Sequence, residues 1–151
     1  MRPEPTNALP EPARTMWLVQ SLGLAVALSA GALAGAGGGT VPLAAAVAFA
    51  IVAVASACVL PVLRHRRWRW ELDEDDLDLV HGVWRVVRTI VPLTRIQHVS
   101  VQRTGWSDLF GLVALHVSTA AGTTTIPALT RPQGDDLRDR ILVRLRTPDD
   151  L

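Results

Sequence analysis

The groups in this sequence that could do chemistry are four histidines at 65, 81, 98 and 116, one cysteine, Cys58, an acidic run from Glu71 to Asp78, and a basic, aromatic cluster, Arg64-His-Arg-Arg-Trp-Arg-Trp70. The histidines show neither an HExxH pattern nor a helical i,i+4 pair, so a zinc centre would need ligands gathered from separate strands. Cys58 lies inside an apolar stretch, where it acts as a small hydrophobe with no partner for an intrachain disulfide. The acidic run fails as an EF-hand. With Asp73 opening the loop, the sixth place is Asp78 and the twelfth is Trp84, where Gly and Glu are needed. It reads as a solvated hairpin turn. No Walker, GxSxG or dinucleotide pattern is present, and Gly37-Gly38-Gly39 lies between apolar segments with no basic residue after it, as a turn would. The expectation is a chain with no catalytic residue, no metal and no cofactor.

Binding is the alternative to catalysis, and two sets of residues are candidates. Arg64, Arg66, Arg67 and Arg69, with Trp68 and Trp70, would suit an anionic leaflet, each Arg contributing about 1 kcal/mol and the rings sitting in the headgroup layer. The same pattern also serves as a plain topology signal with an aromatic belt. Arg95, Gln97 and His98 fall close together after Pro92. Strict strand alternation puts Arg95 and Gln97 on one face and Ile96 and His98 on the other, which predicts a structural or loop role instead of one pocket. Together with Trp106 and Phe110 they are the candidate contacts for a partner.

These residues must be positioned by something, and the strongest pattern in the chain says what. From Thr15 to Leu63 no Asp, Glu, Lys, Arg or His occurs, and the run is broken near its middle by Ala36-Gly-Gly-Gly-Thr-Val-Pro42. A bilayer crossing needs about 20 apolar residues. The stretch therefore holds two helical crossings and a turn, roughly Met16 to Ala36 and Pro42 to Leu63. A cleaved signal peptide is the alternative for the first. Its apolar part exceeds the usual h-region of about 7–15 residues, and a second apolar stretch follows at once. Arg2 and Arg14 precede the first crossing, none lies in the turn, and Arg64, Arg66, Arg67 and Arg69 follow the second. Positive charge stays inside, so a multi-pass location in the cell membrane with both termini cytoplasmic is expected. Gly23, Ala27, Gly31 and Gly35 form one ridge of small residues, and Ala46, Ala50, Ala53 and Ala57 another. Packing of the two helices on each other within one chain is preferred, with a dimer interface as the alternative.

Beyond the anchor the period changes to two. Trp68, Trp70 and Leu72 alternate with Arg69, Glu71 and Asp73, and Leu77 and Leu79 alternate with Asp76 and Asp78, giving two strands about the acidic turn. His81-Gly82 makes the next turn, Trp84 to Val91 reads as a third strand stopped by Pro92, and strands follow around Val99 to Val101, Val113 to Val117 and Thr123 to Ile126. Strands at hairpin spacing favour an antiparallel sandwich or barrel. A final helix opens on a capping box of Thr130 and Gln133 and carries a stripe of Leu137, Ile141, Leu142 and Leu145 that would close the barrel. The domains read as a tail at 1–14, a two-helix hairpin at 15–63, a polar domain at 64–146 and a tail at 147–151. A formal charge of +1, with neither half strongly basic, argues against a nucleic-acid partner, and the 15 Arg without Lys read as a coding bias.

Pro92-Leu-Thr-Arg-Ile-Gln-His-Val99, Asp108-Leu-Phe-Gly-Leu112, Val117-Ser-Thr-Ala-Ala-Gly122 and Ile126-Pro-Ala-Leu129, following a two-helix hairpin and Trp70-Glu-Leu, resemble the membrane-flanked bacterial pleckstrin-homology-like (PH-like) domain family, the YdbS-like group. The resemblance implies an all-β PH-like barrel or sandwich closed by one C-terminal α-helix and facing the cytoplasm. Residues 104–107 depart from the glycine-led turn of that family. The function expected is a membrane-anchored, non-catalytic interaction module within a membrane protein complex, with the bilayer and a protein partner or second copy as its contacts. An anionic-lipid sensor using the Arg and Trp cluster is the alternative. No small-molecule substrate is expected.

Overall fold

The structure is a computed structural model and describes residues 4–146. The first three residues of the N-terminal tail and the whole tail expected at 147–151 lie outside the described residues. Two compact units are present: residues 14–66 form one, and residues 4–13 with 67–146 form the other.

The first unit is built on two apolar helices, α1 (Glu11–Gly37) and α2 (Leu43–Arg67), each long and apolar enough to cross a membrane. At 1.5 Å per residue they measure roughly 40 and 38 Å. The turn between them is held by the glycines. Gly39 takes φ +76°, its N–H donates to the Ala36 carbonyl, and the Thr40 N–H donates to the Gly35 carbonyl. This is a Schellman ending, which satisfies carbonyls that would otherwise be stranded at a helix end. Pro61 stands inside α2 and has no N–H to offer the Ala57 carbonyl four residues earlier. The Ser21 hydroxyl of α1 lies 2.9 Å from that oxygen and 2.7 Å from the Trp17 carbonyl of its own helix, so one proton is shared between them. A bond between helices thus replaces one that Pro61 removed.

On α1 the shielded small residues are Ala25 and Ser29, whereas Gly23 and Gly31 have open space around them. Of the expected ridge, Gly23, Ala27 and Gly31 are exposed and Gly35 is half-buried. On α2, Ala46 and Ala57 are buried as expected. The reason is angular: the seam of α1 is set by Ser21, and residues 25 and 29 follow it at helical spacing, while 23, 27 and 31 are rotated away.

The second unit carries two antiparallel sheets. One has the order β1 (Asn7–Ala8), β2 (Arg69–Leu72), β3 (Asp76–His81) and β4 (Val87–Pro92). The other has β5 (Ile96–Gln102), β6 (Leu112–Thr119) and β7 (Gly122–Thr130). A short helix, α3 (Gly105–Leu109), links β5 to β6, and α4 (Arg131–Arg146) closes the sandwich. Leu77 and Leu79 from the first sheet, Leu115, Val117 and Ile126 from the second, and Leu137 and Ile141 from α4 are all fully buried together as its core. Each such side chain contributes about 1.5–3 kcal/mol relative to exposure. The capping box is present, with the Thr130 N–H donating to the Gln133 side chain and the Gln133 N–H to the Thr130 hydroxyl. Leu145, by contrast, is exposed, so the core-facing stripe of α4 is Gly134, Leu137 and Ile141.

Three local departures share a cause in backbone conformation. Residues 82–86 form a turn, so β4 begins at Val87 instead of Trp84; Gly82 takes φ +126°, and β-branched composition alone does not reveal that. β5 carries a bulge between Ile96 and His98. β7 runs past Pro127 by a bulge with Ala128 at φ +61°, a place where a residue lacking an N–H is tolerated.

Candidate functional site

The basic, aromatic cluster is taken up largely by internal contacts. The Arg64 guanidinium stands 4.3 Å above the Trp17 ring, a cation–π contact. Arg67 donates to the Val83 carbonyl at 2.5 Å, and Arg69 donates to the Trp68 carbonyl at 2.8 Å. Arg66 is exposed. Trp68 departs from the expected aromatic belt: it is 5% exposed and stacks on His81 with centroids 5.3 Å apart. It stands one residue before β2 with the parity of Trp70, which pairs with the buried Leu79, and so belongs to the core side of the sheet. Trp70 is half-buried, and its indole nitrogen is buried with no hydrogen-bond partner among the described residues.

The second candidate set divides. Arg95, Gln97 and His98 are exposed and Ile96 is buried. The expected pairing of Ile96 with His98 on one face is wrong, because the bulge at Gln97 shifts the parity: Ile96 and Val99 both serve the inner face while His98 pairs outward with Ser118. Arg95 joins a shallow cleft of about 280 Å3 lined by Thr89, Ile90 and Val91 of β4 and by the turn at Thr119 to Thr124. Trp106 on α3 and Phe110 just after it lie at the other end of β5, with ring centroids 5.7 Å apart. The structure therefore does not bring the five together. Residues 104–107, which depart from the family turn, are held by a capping box in which Ser107 N–H donates to the Thr104 hydroxyl and Thr104 N–H to the Ser107 hydroxyl. Arg131 anchors α3 from α4 through Asp108 at 2.5 Å.

The acidic run lines an open cup with Arg88. Asp78, only 3% exposed, receives hydrogen bonds from Arg88 at 3.0 and 3.1 Å through Nε and at 2.5 Å through Nη2. The hydrogen bond to Asp78, helped by its charge, raises the Arg88 pKa above the ordinary value. The pair is a cross-strand staple on the outer face of β3 and β4. No group of three or more His, Cys, Asp or Glu among the described residues is arranged to hold a metal ion. The histidines of this unit stand apart: His81 is on Trp68, His116 Nδ1 is 2.9 Å from the Thr125 hydroxyl, and His98 is exposed on β5.

Two features escape sequence reasoning. Asn7 and Ala8 pair with Trp70 and Arg69, which makes the segment before the first helix a strand of the sheet; two residues are too few to show a period. Trp84 is 93% exposed at the tip of the β3–β4 turn. The His81-Gly82 pair was the available signal for that turn.

Residues 21–144 match the family described as Bacterial PH domain. The UPF0699 transmembrane protein YdbS of Bacillus subtilis (strain 168) is 37% identical over 75 residues, which are 50% of this chain and 47% of that protein. The match thus spans about half the length of this relative. No solved structure matches the chain. The family match starts within α1 and ends near the close of α4, taking in most of α1, all of α2, the strands β2 to β7 and most of the covering helix, and the chain belongs to the bacterial PH domain family.

Proposed function

We propose that this protein is a membrane-anchored, non-catalytic interaction module, with the hairpin holding the PH-like sandwich at the cytoplasmic leaflet, where an open strand edge meets a partner protein. The observation that carries this reading is the pairing of Asn7 and Ala8 with β2. The chain leaves the sandwich at Ala13 and returns to it at Arg67, which supports a charge-free excursion that begins and ends on the same face. Two crossings give such a path. The name of the Bacillus relative, a transmembrane protein, agrees with it, and the Arg residues flanking the span favour the inside.

The edge best suited to a partner is β4, which ends its sheet and lines the cleft beside Arg95. An added strand there would pair its backbone along the outer edge of β4. The separated histidines and the absence of any convergent polar constellation in the sequence support a contact role over turnover. A photo-crosslinker at Thr89 in native membranes is expected to capture a second polypeptide; recovery of the protein alone at every position along β4 would contradict the reading.

A further inference from the structure

We propose that the β3–β4 turn, residues 82–86, is a membrane-contacting element whose Trp84 and Val86 enter the interfacial layer of the leaflet from which α2 emerges. The proposal rests on the membrane-anchored reading and adds a point of attachment to it. Trp84 is 93% exposed and Val86 60%, next to the exposed Arg85. An indole left wholly in water is an apolar body without cover, and its preferred setting is a membrane interface, where the ring is desolvated and the N–H stays wet.

The turn is built to hold that ring out. A Cβ on Gly82 would collide with the Arg85 carbonyl oxygen, so the loop closes tightly on a glycine at φ +126°. It is also tethered by a short length of chain to the end of the charge-free run. Arg67, the last residue of α2, donates to the Val83 carbonyl, and Trp68 stacks on His81 at the foot of the same turn. Arg67 follows the last residue of the charge-free run, Leu63, by four positions, about 6 Å of helix. That is close to the roughly 5–8 Å of headgroup region on each side of a bilayer.

Charge selects the leaflet as the occupant. Arg67, Arg69 and Arg85 lie at this end of β2 and β3, whereas Asp73, Glu74 and Asp75 form the turn at the opposite end. β3 has six residues, so the two ends are roughly 20 Å apart. An anionic surface attracts the first end and repels the second, which orients the sandwich with its acidic turn away from the lipid.

The test uses the full chain carrying fluorotryptophan in nanodiscs of phosphatidylglycerol and phosphatidylcholine, with the Trp84 resonance assigned by Trp84→Phe and the Trp17 resonance by Trp17→Phe. A lipid nitroxide placed just below the headgroup is expected to erase the Trp84 signal, while an aqueous gadolinium chelate leaves it. Erasure by the chelate and survival with the nitroxide would overturn the proposal. Survival with both reagents, the sign of a protein cover such as a second copy, would overturn it as well. If the Trp17 resonance also survives the nitroxide, the membrane-anchored reading itself fails; if Trp17 is erased and Trp84 is not, only the turn contact fails.

Discussion

Gly134 sits where α4 first touches β6, and a Cβ there would stand 2.6 Å from Val113 Cγ2. Val has one stiff rotamer axis and cannot swing clear. Gly134→Ala is therefore expected to cost about 1–3 kcal/mol through overpacking, read as a lower thermal midpoint, by about 4–8 °C per kcal/mol for a domain of this size. Ala128 poses the opposite problem, since it already occupies a left-handed conformation at φ +61° and is buried. Ala128→Gly should be close to neutral, whereas Ala128→Val should lose about 1–3 kcal/mol because a β-branched residue is strained there. At Asp78, Arg88→Met leaves a buried carboxylate alone, so it should lower the midpoint more than the double change Asp78→Leu with Arg88→Met, which removes both charges. The capping box of Thr130 and Gln133 was legible in the sequence because capping is local. The turn at His81-Gly82 was legible in its glycine, but its extent to residue 86 and the conformations of Gln97 and Ala128 were not, because a bulge or a positive φ is imposed by a neighbouring strand and leaves no period of its own.

At the scale of elements, the joint of the hairpin is the Ser21 hydroxyl facing the carbonyl that Pro61 strands. Ser21→Ala should weaken association of α1 and α2 by about 0.6–2 kcal/mol. In a Pro61→Ala background the new N–H at 61 takes the Ala57 carbonyl, and the effect of Ser21→Ala should shrink; a double-mutant cycle on denaturant unfolding in bilayers measures the coupling. Gly31→Leu should leave the same equilibrium nearly unchanged, because nothing lies within 4 Å of a Cβ at Gly31. Both helices were legible from charge and length alone, yet the seam of α1 was not. Small residues recur on more than one of its faces, and only the partner helix decides which face is used. Most strands were legible because half-buried strands alternate, as β6 does with Val113, Leu115 and Val117 buried between half-buried residues.

At the scale of the molecule, the segment before α1 and the sandwich after α2 are one body, tied by Asn7 and Ala8 on β2 and by the Thr6 N–H donating to Glu71 at 3.2 Å. A chain so arranged cannot place its two flanks on opposite sides of a bilayer without unpairing β1. The most direct measurement is labelling with a membrane-impermeant maleimide in a Cys58→Ala background, using E4C, T40C and E74C one at a time in the full chain. A two-crossing hairpin predicts that T40C reacts in intact cells and that E4C and E74C react only after the membrane is opened. Reaction of E74C in intact cells, or E4C and E74C found on opposite faces, would contradict it.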